Sequence, residues 1–144
     1  MKKFSCLMAF VFVILLSSTA LAANWEVVDK NETNGVTITT SVDKDSIKRG
    51  INSKQFKMSR KDGFSALIKI AVTSNNDNHD ATIINYVGFV EEKGKRCYYY
   101  MDSYDENGKI VPDETSNPKA EAYDVDKDGE VWPKVWDFIT KNLK

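Results

Sequence analysis

The sequence predicts an α+β domain: an antiparallel, meandering sheet of about six strands with one C-terminal helix packed on one face. Three observations predict it. Apolar residues alternate with polar ones through most of residues 24–111, the period of a half-buried strand. Short Gly-containing turns, Asn34-Gly35, Lys93-Gly94 and Asn107-Gly108, punctuate that stretch at hairpin spacing. The period then changes: Val131, Trp132, Val135, Trp136, Ile139 and Leu143 form one stripe of an α-helix.

Taken in order, Trp25 opens a short strand that reaches Val28 or Asp29, and Asn31 to Gly35 form a turn. Val36, Ile38, Thr40 and Val42 alternate with hydroxyl residues in the next strand. Asp43 to Ile47 leave it as a turn or a single helical turn, ended by Gly50. Gln55 to Arg60 form a strand with Phe56 and Met58 on one face, and Lys61-Asp62-Gly63 make a tight connection. Ala66, Ile68, Ile70 and Val72 point one face of the following strand at a core, and the polar loop Ser74–Asp80 follows it. Thr82 to Glu91 are apolar on both faces, which suits a central strand buried on both sides. Arg96 to Tyr104 return as a tyrosine-rich strand, a turn at Asp105–Gly108 leads to Lys109-Ile110-Val111, and Pro112 ends it. Pro133 places the start of the regular helix at about Pro133, because proline costs little at the first helical position, and the helix runs to Asn142.

The chain has 144 residues, with 20 Lys and Arg against 21 Asp and Glu and a net charge of −1. That balance argues against a nucleic-acid-binding protein, since such domains are strongly basic. Met1-Lys2-Lys3, the apolar run from Cys6 to Leu16 and the small residues Ala20-Leu21-Ala22 read as a secretory signal peptide over residues 1–22. Cleavage leaves residues 23–144 as a single domain of net charge −3, with no membrane span and one cysteine, Cys97. The expected destination is the periplasm, the cell surface or the medium.

Five groups of residues are candidates for chemistry. Asp124, Asp126 and Asp128, followed by Gly129, match the first half of a calcium loop, although its twelfth position is Val135. Calcium is therefore the one cofactor considered, and a solvated acidic turn near a helix N-terminus is the alternative. Cys97 shares a strand face with Tyr99 and Met101, as a small buried hydrophobe would, and export also leaves it open to an intermolecular disulfide. His79, the single histidine, stands in a polar loop with nothing to bring it to Cys97. Tyr98, Tyr100 and Tyr104 alternate onto the opposite face, and exposed tyrosines there would offer a binding face for a protein or glycan. Lys44, Lys48, Arg49, Lys54, Lys57, Arg60 and Lys61 form a basic stretch suited to an acidic polymer or to a solvated strand. No recognisable motif of a serine hydrolase, zinc protease or nucleotide-binding loop is present, so no enzyme activity is expected.

Trp25 and Val28, the element Val42-Asp43-Lys44-Asp45-Ser46-Ile47, the segment Tyr104-Asp105-Glu106-Asn107-Gly108-Lys109 and the terminal amphipathic helix occur in an order and spacing that resembles the surface-adhesin protein E-like domain family of small exported bacterial proteins. The chain has Thr39 and Thr40 where that family usually carries an aromatic residue. The resemblance implies an antiparallel sheet with a C-terminal helix, homodimer formation in at least one member, and surface adhesion to host matrix components, with no catalytic residues. The functional expectation is an exported non-enzymatic binding or adhesion module. The alternatives are a structural accessory protein without ligand and a small calcium-dependent domain using the Asp124–Gly129 loop.

Overall fold

A computed structural model describes residues 23–76, 80–112 and 119–144; the predicted signal peptide at 1–22, His79 and residues 113–118 lie outside the described residues. β1 (Trp25–Thr33) and β2 (Val36–Asp43) are joined by the two-residue turn Asn34-Gly35. β1 therefore runs four residues beyond Asp29 into the predicted turn. A 3-10 turn at Lys44–Ser46 follows, held by the Asp43 carboxylate, which accepts from the Asp45 amide at 3.1 Å and the Asn24 amide at 3.0 Å. Then come β3 (Lys48–Ser53), β4 (Met58–Ser74), β5 (Asp80–Glu92), β6 (Lys95–Tyr104), β7 (Ile110–Val111), β8 (Ala122–Asp124) and α1 (Val131–Asn142).

The sheet is antiparallel throughout, in the order β1-β2-β4-β5-β6-β7. This is the expected meander, with eight strands rather than about six. The additions are β3, which pairs with Met58–Ser65 of β4, and β8, which pairs with Cys97–Tyr99 of β6. β2 takes the other half of β4, from Ile68 to Ser74. β3 and β2 thus share one edge of a single 17-residue strand, where the sequence pattern predicts one strand ending at Arg60 and another after Gly63.

Gly63 explains the difference. Its φ of 81° lies in the left-handed region, and a Cβ there would sit 2.2 Å from the Phe89 carbonyl oxygen. The backbone bends at this bulge without leaving the sheet, because only glycine fits. The register of β3 against β4 shifts at the same level, between Arg49 and Ile51. Beyond the bend the β3–β4 hairpin, here called the flap, lies over the sheet.

Two cores result. On one face Val42, Phe64, Ala66, Ile68, Val87, Phe89 and Tyr98 meet Trp132, Val135, Trp136 and Ile139 of α1, the i, i+3, i+4, i+7 stripe of an amphipathic helix. Trp132 stacks on Tyr98 at 3.8 Å between centroids, and Trp136 meets Phe64 edge-on at 4.8 Å. α1 begins at Val131, so Pro133 is its third residue rather than its first. An amide there has no intrahelical partner in any case, and the proline costs no hydrogen bond.

On the other face the flap covers Tyr86, Val90, Cys97, Tyr99 and Met101 with Ile51, which is 2 % exposed. Ile51 seats where β5 has no side chain: a Cβ on Gly88 would lie 2.8 Å from its Cδ1 and 2.9 Å from its Cγ2. Gly88→Ala is expected to cost about 2 kcal/mol by overpacking. In an Ile51→Ala background the same change should cost less than half of that, as contacting residues couple. Denaturant unfolding of the four variants measures it, and equal costs in both backgrounds would contradict the seating of the flap.

Candidate functional site

The flap leaves part of its sheet face uncovered, and a trough opens there. Its shape depends on an irregularity in β6. Val87 pairs with Tyr100 and Asn85 with Ser103, so two residues, Met101 and Asp102, stand opposite Tyr86. Such a bulge turns both side chains to one face. Met101 enters the second core, and Asp102, 5 % exposed, meets the tip of the flap. Asp102 Oδ1 accepts from Ser53 Oγ at 2.8 Å and from the Gln55 amide at 3.2 Å. Ser53 Oγ in turn accepts from the Phe56 amide at 3.2 Å, closing the flap turn. Nearby, Tyr86 Oη accepts from the Asn52 amide at 3.0 Å, and Lys48 Nζ lies 5.5 Å from the Tyr86 ring centroid.

Beside this anchor is a groove of about 430 Å³, bordered by Asp45, Lys48, Lys54, Tyr86, Asp102 and Tyr104. Asp102 Oδ2 accepts no hydrogen bond from the described residues. A second groove of about 320 Å³ is lined by Trp25, Lys69, Ile84 and Glu106. Leu67 pairs with Tyr86 and Lys69 with Ile84, two residues along the same strands, so both grooves lie on one face. Lys69 Nζ stands 4.6 Å from the Trp25 ring. The trough thus presents two part-exposed aromatic side chains, Trp25 and Tyr104, over the buried Tyr86, with three lysines and three carboxylates, Asp45, Glu106 and the rigidly held Asp102. These are groups that hydrogen-bond, stack and pair with charge.

The structure separates the three tyrosines that the sequence groups on one face. Tyr98 is 1 % exposed beneath α1, stacked on Trp132. Its hydroxyl donates to Asp128, and burial followed by that hydrogen bond holds its pKa far above the ordinary tyrosine value. Tyr100 is half-buried on the same face, and burial pushes it up to about 12. The bulge reverses the alternation, so Tyr104 belongs to the opposite face and borders the trough. Burial also raises the Tyr104 pKa.

The three aspartates point in three directions. Asp124 Oδ1 accepts from the Asp126 amide at 3.0 Å within its own turn. Asp126 pairs with Arg96, whose Nε donates to Oδ2 at 3.2 Å, and that hydrogen bond lowers the Asp126 pKa. Asp128 receives the Tyr98 hydroxyl. Among the described residues no group of three or more His, Cys, Asp or Glu side chains is placed to hold a metal ion.

In the basic stretch, Lys44 pairs with Glu26 at 3.1 Å, and Arg60 binds Glu92 at 2.5 Å and Asp62 at 2.6 Å. Lys48, Arg49, Lys54, Lys57 and Lys61 are exposed. No helix among the described residues is long and apolar enough to cross a membrane. Comparison with protein-family models, with curated proteins and with solved structures found no match.

Sequence reasoning missed Asp102 and Tyr86 as neighbours, since a bulge and a folded-over hairpin bring them together. Cys97 is where alternation placed it, in the second core beside Tyr99 and Met101. Burial pushes its thiol pKa up, which opposes formation of the reactive thiolate. Labelling by an aromatic disulfide reagent at pH 8 should be at least ~100-fold slower in the native protein than in denaturant. Equal rates would show that the flap does not cover this face.

Proposed function

We propose that this chain is an exported, non-enzymatic binding module that engages a protein or glycan partner through the trough. The observation that carries the reading is the trough itself: two grooves on one sheet face, with Trp25, Tyr86 and Tyr104 along it and Asp102 fixed at one end by the flap. Aromatic side chains give contact area with few rotatable bonds. A carboxylate already held by two donors needs no reordering to accept a third, which lowers the entropic cost of association. The resemblance of the sequence to the surface-adhesin protein E-like family adds adhesion to host matrix components as the setting, and the signal-peptide-like leader adds export.

The test is surface plasmon resonance of the mature chain against immobilised matrix glycoproteins and a glycan panel. Binding is expected, and Trp25→Ala with Tyr104→Ala should weaken it by about tenfold or more, as the loss of aromatic anchors does, with the circular dichroism spectrum of the folded chain preserved at the assay temperature. Flat responses at about 100 μM protein, a concentration that would reveal even weak association, would overturn the proposal. Affinity unchanged in the double variant would equally remove the trough from the interface.

A further inference from the structure

The flap carries a charge distribution unlike the rest of the chain. Residues 48–61 contain six cations, Lys48, Arg49, Lys54, Lys57, Arg60 and Lys61, and no carboxylate. The whole chain has a net charge of −1, so the remaining residues sum to −7. The nearest carboxylates on either side in sequence, Asp45 and Asp62, bound the segment. Only Arg60 of the six has a carboxylate within ion-pair distance among the described residues. The other five are exposed.

Their placement concentrates the charge. A groove of about 350 Å³ on the flap is lined by Lys48, Arg49, Asn52, Ser59, Arg60 and Lys61, around the bulge at Gly50. Every titratable group bordering it is basic. Lys54 and Lys57 extend the cationic surface to the tip, where the flap turns. A six-residue strand spans about 20 Å, so the surface suits a polymer rather than a single small ion. Like charges gathered on one hairpin repel one another and destabilise it. The flap tolerates this because Ile51, Gly88 and Asp102 hold it from beneath.

We propose that the outer surface of the flap is a docking site for a linear sulfated polysaccharide. Sulfate groups along a sugar chain match a row of ammonium and guanidinium groups, and Asn52 and Ser59 add neutral donors for sugar hydroxyls. Single-stranded nucleic acid fits less well, since its recognition combines basic charge with aromatic stacking. The one aromatic residue of the flap, Phe56, packs against the second core. The same inward turn of Phe56 leaves the tip without the apolar wedge that membrane-surface binding uses. This site adjoins the trough, with which it shares Lys48, Asn52 and Lys54, and Arg49, Lys57, Ser59, Arg60 and Lys61 belong to the flap surface alone.

Heparin is the probe, titrated calorimetrically into the mature chain at about 50 mM salt and again at about 200 mM salt, a range over which counterion release dominates such contacts. Binding is expected despite the net negative charge, weakening at least tenfold at the higher salt. The triple variant Arg49→Ala, Lys57→Ala, Lys61→Ala removes exposed side chains without ion-pair partners, so its melt should be unchanged and its affinity at least tenfold lower. A control triple variant elsewhere, Lys109→Ala, Lys119→Ala, Lys141→Ala, should stay within twofold, and Tyr104→Ala should bind heparin like the native chain. The proposal is overturned if heparin fails to bind at the lower salt, or if the control triple loses as much as the flap triple. It is also overturned if Tyr104→Ala loses heparin, or if single-stranded DNA or phosphatidylserine vesicles bind through the same three residues as tightly as heparin. Loss of partner binding in the trough variants with heparin binding intact would separate the two sites.

Discussion

The seating of Ile51 over Gly88 sets much of the rest of the structure. A meandering sheet with one helix has one covered face and one wet face, and a tyrosine-rich strand could then show its rings to solvent. Here the chain bends at Gly63 and lays a hairpin over part of the wet face, and the close approach is open because β5 has a hydrogen where another residue would have a side chain. Asp102 adds the directional component. It is buried, and its two hydrogen bonds to Ser53 and Gln55 fix the tip of the flap. Removing such an acceptor would leave two donors without their partner, which costs more than the bonds themselves contribute.

From that seating follow the positions of the charged groups. Arg60 joins the flap to the end of β5 through Glu92 and closes on Asp62. Hydrogen bonds from Arg60 hold both carboxyls below their usual range, while Arg60 itself is raised, first by Asp62 and then by Glu92. Depressed carboxyl pKa values make this contribution complete above the ordinary values of 3.8 and 4.5, and it is lost as pH falls through the depressed ones. Both carboxylates are more than a third exposed, so solvent screening keeps the contribution small. On the helix side, Arg96 with Asp126 and Tyr98 with Asp128 pin the acidic loop to β6. The sequence pattern that resembles half a calcium loop thus serves to position the chain before α1.

Much of the sheet was legible because its signals are local. Asn34-Gly35 and Lys93-Gly94 demand positive φ and obtain it. Thr82–Glu91 is apolar on both faces because it lies between two cores, and the Trp132, Val135, Trp136, Ile139 stripe has one reading. The flap was not legible. Gly50 and Gly63 mark turns in most contexts, and here they mark bulges inside continuing strands. Whether a glycine ends a strand or bends it depends on what it meets, which for Gly63 is the Phe89 carbonyl, 26 residues away in sequence. The trough was hidden for a related reason: one extra residue at Met101–Asp102 reverses every later side chain of β6. Strict alternation therefore groups Tyr104 with Tyr98 and Tyr100, which it does not join.

Amide hydrogen exchange at Asn52 and Gln55 tests the central claim most directly. The Asn52 amide donates to Tyr86 Oη and the Gln55 amide to Asp102 Oδ1, and neither bond exists unless the flap lies on the sheet. Both amides should be protected at least ~100-fold over unstructured rates, with protection lost when Tyr86→Phe or Asp102→Ala removes the respective acceptor. Exchange at unstructured rates in the native protein, with β5 and α1 still protected, would show a free hairpin and contradict the account.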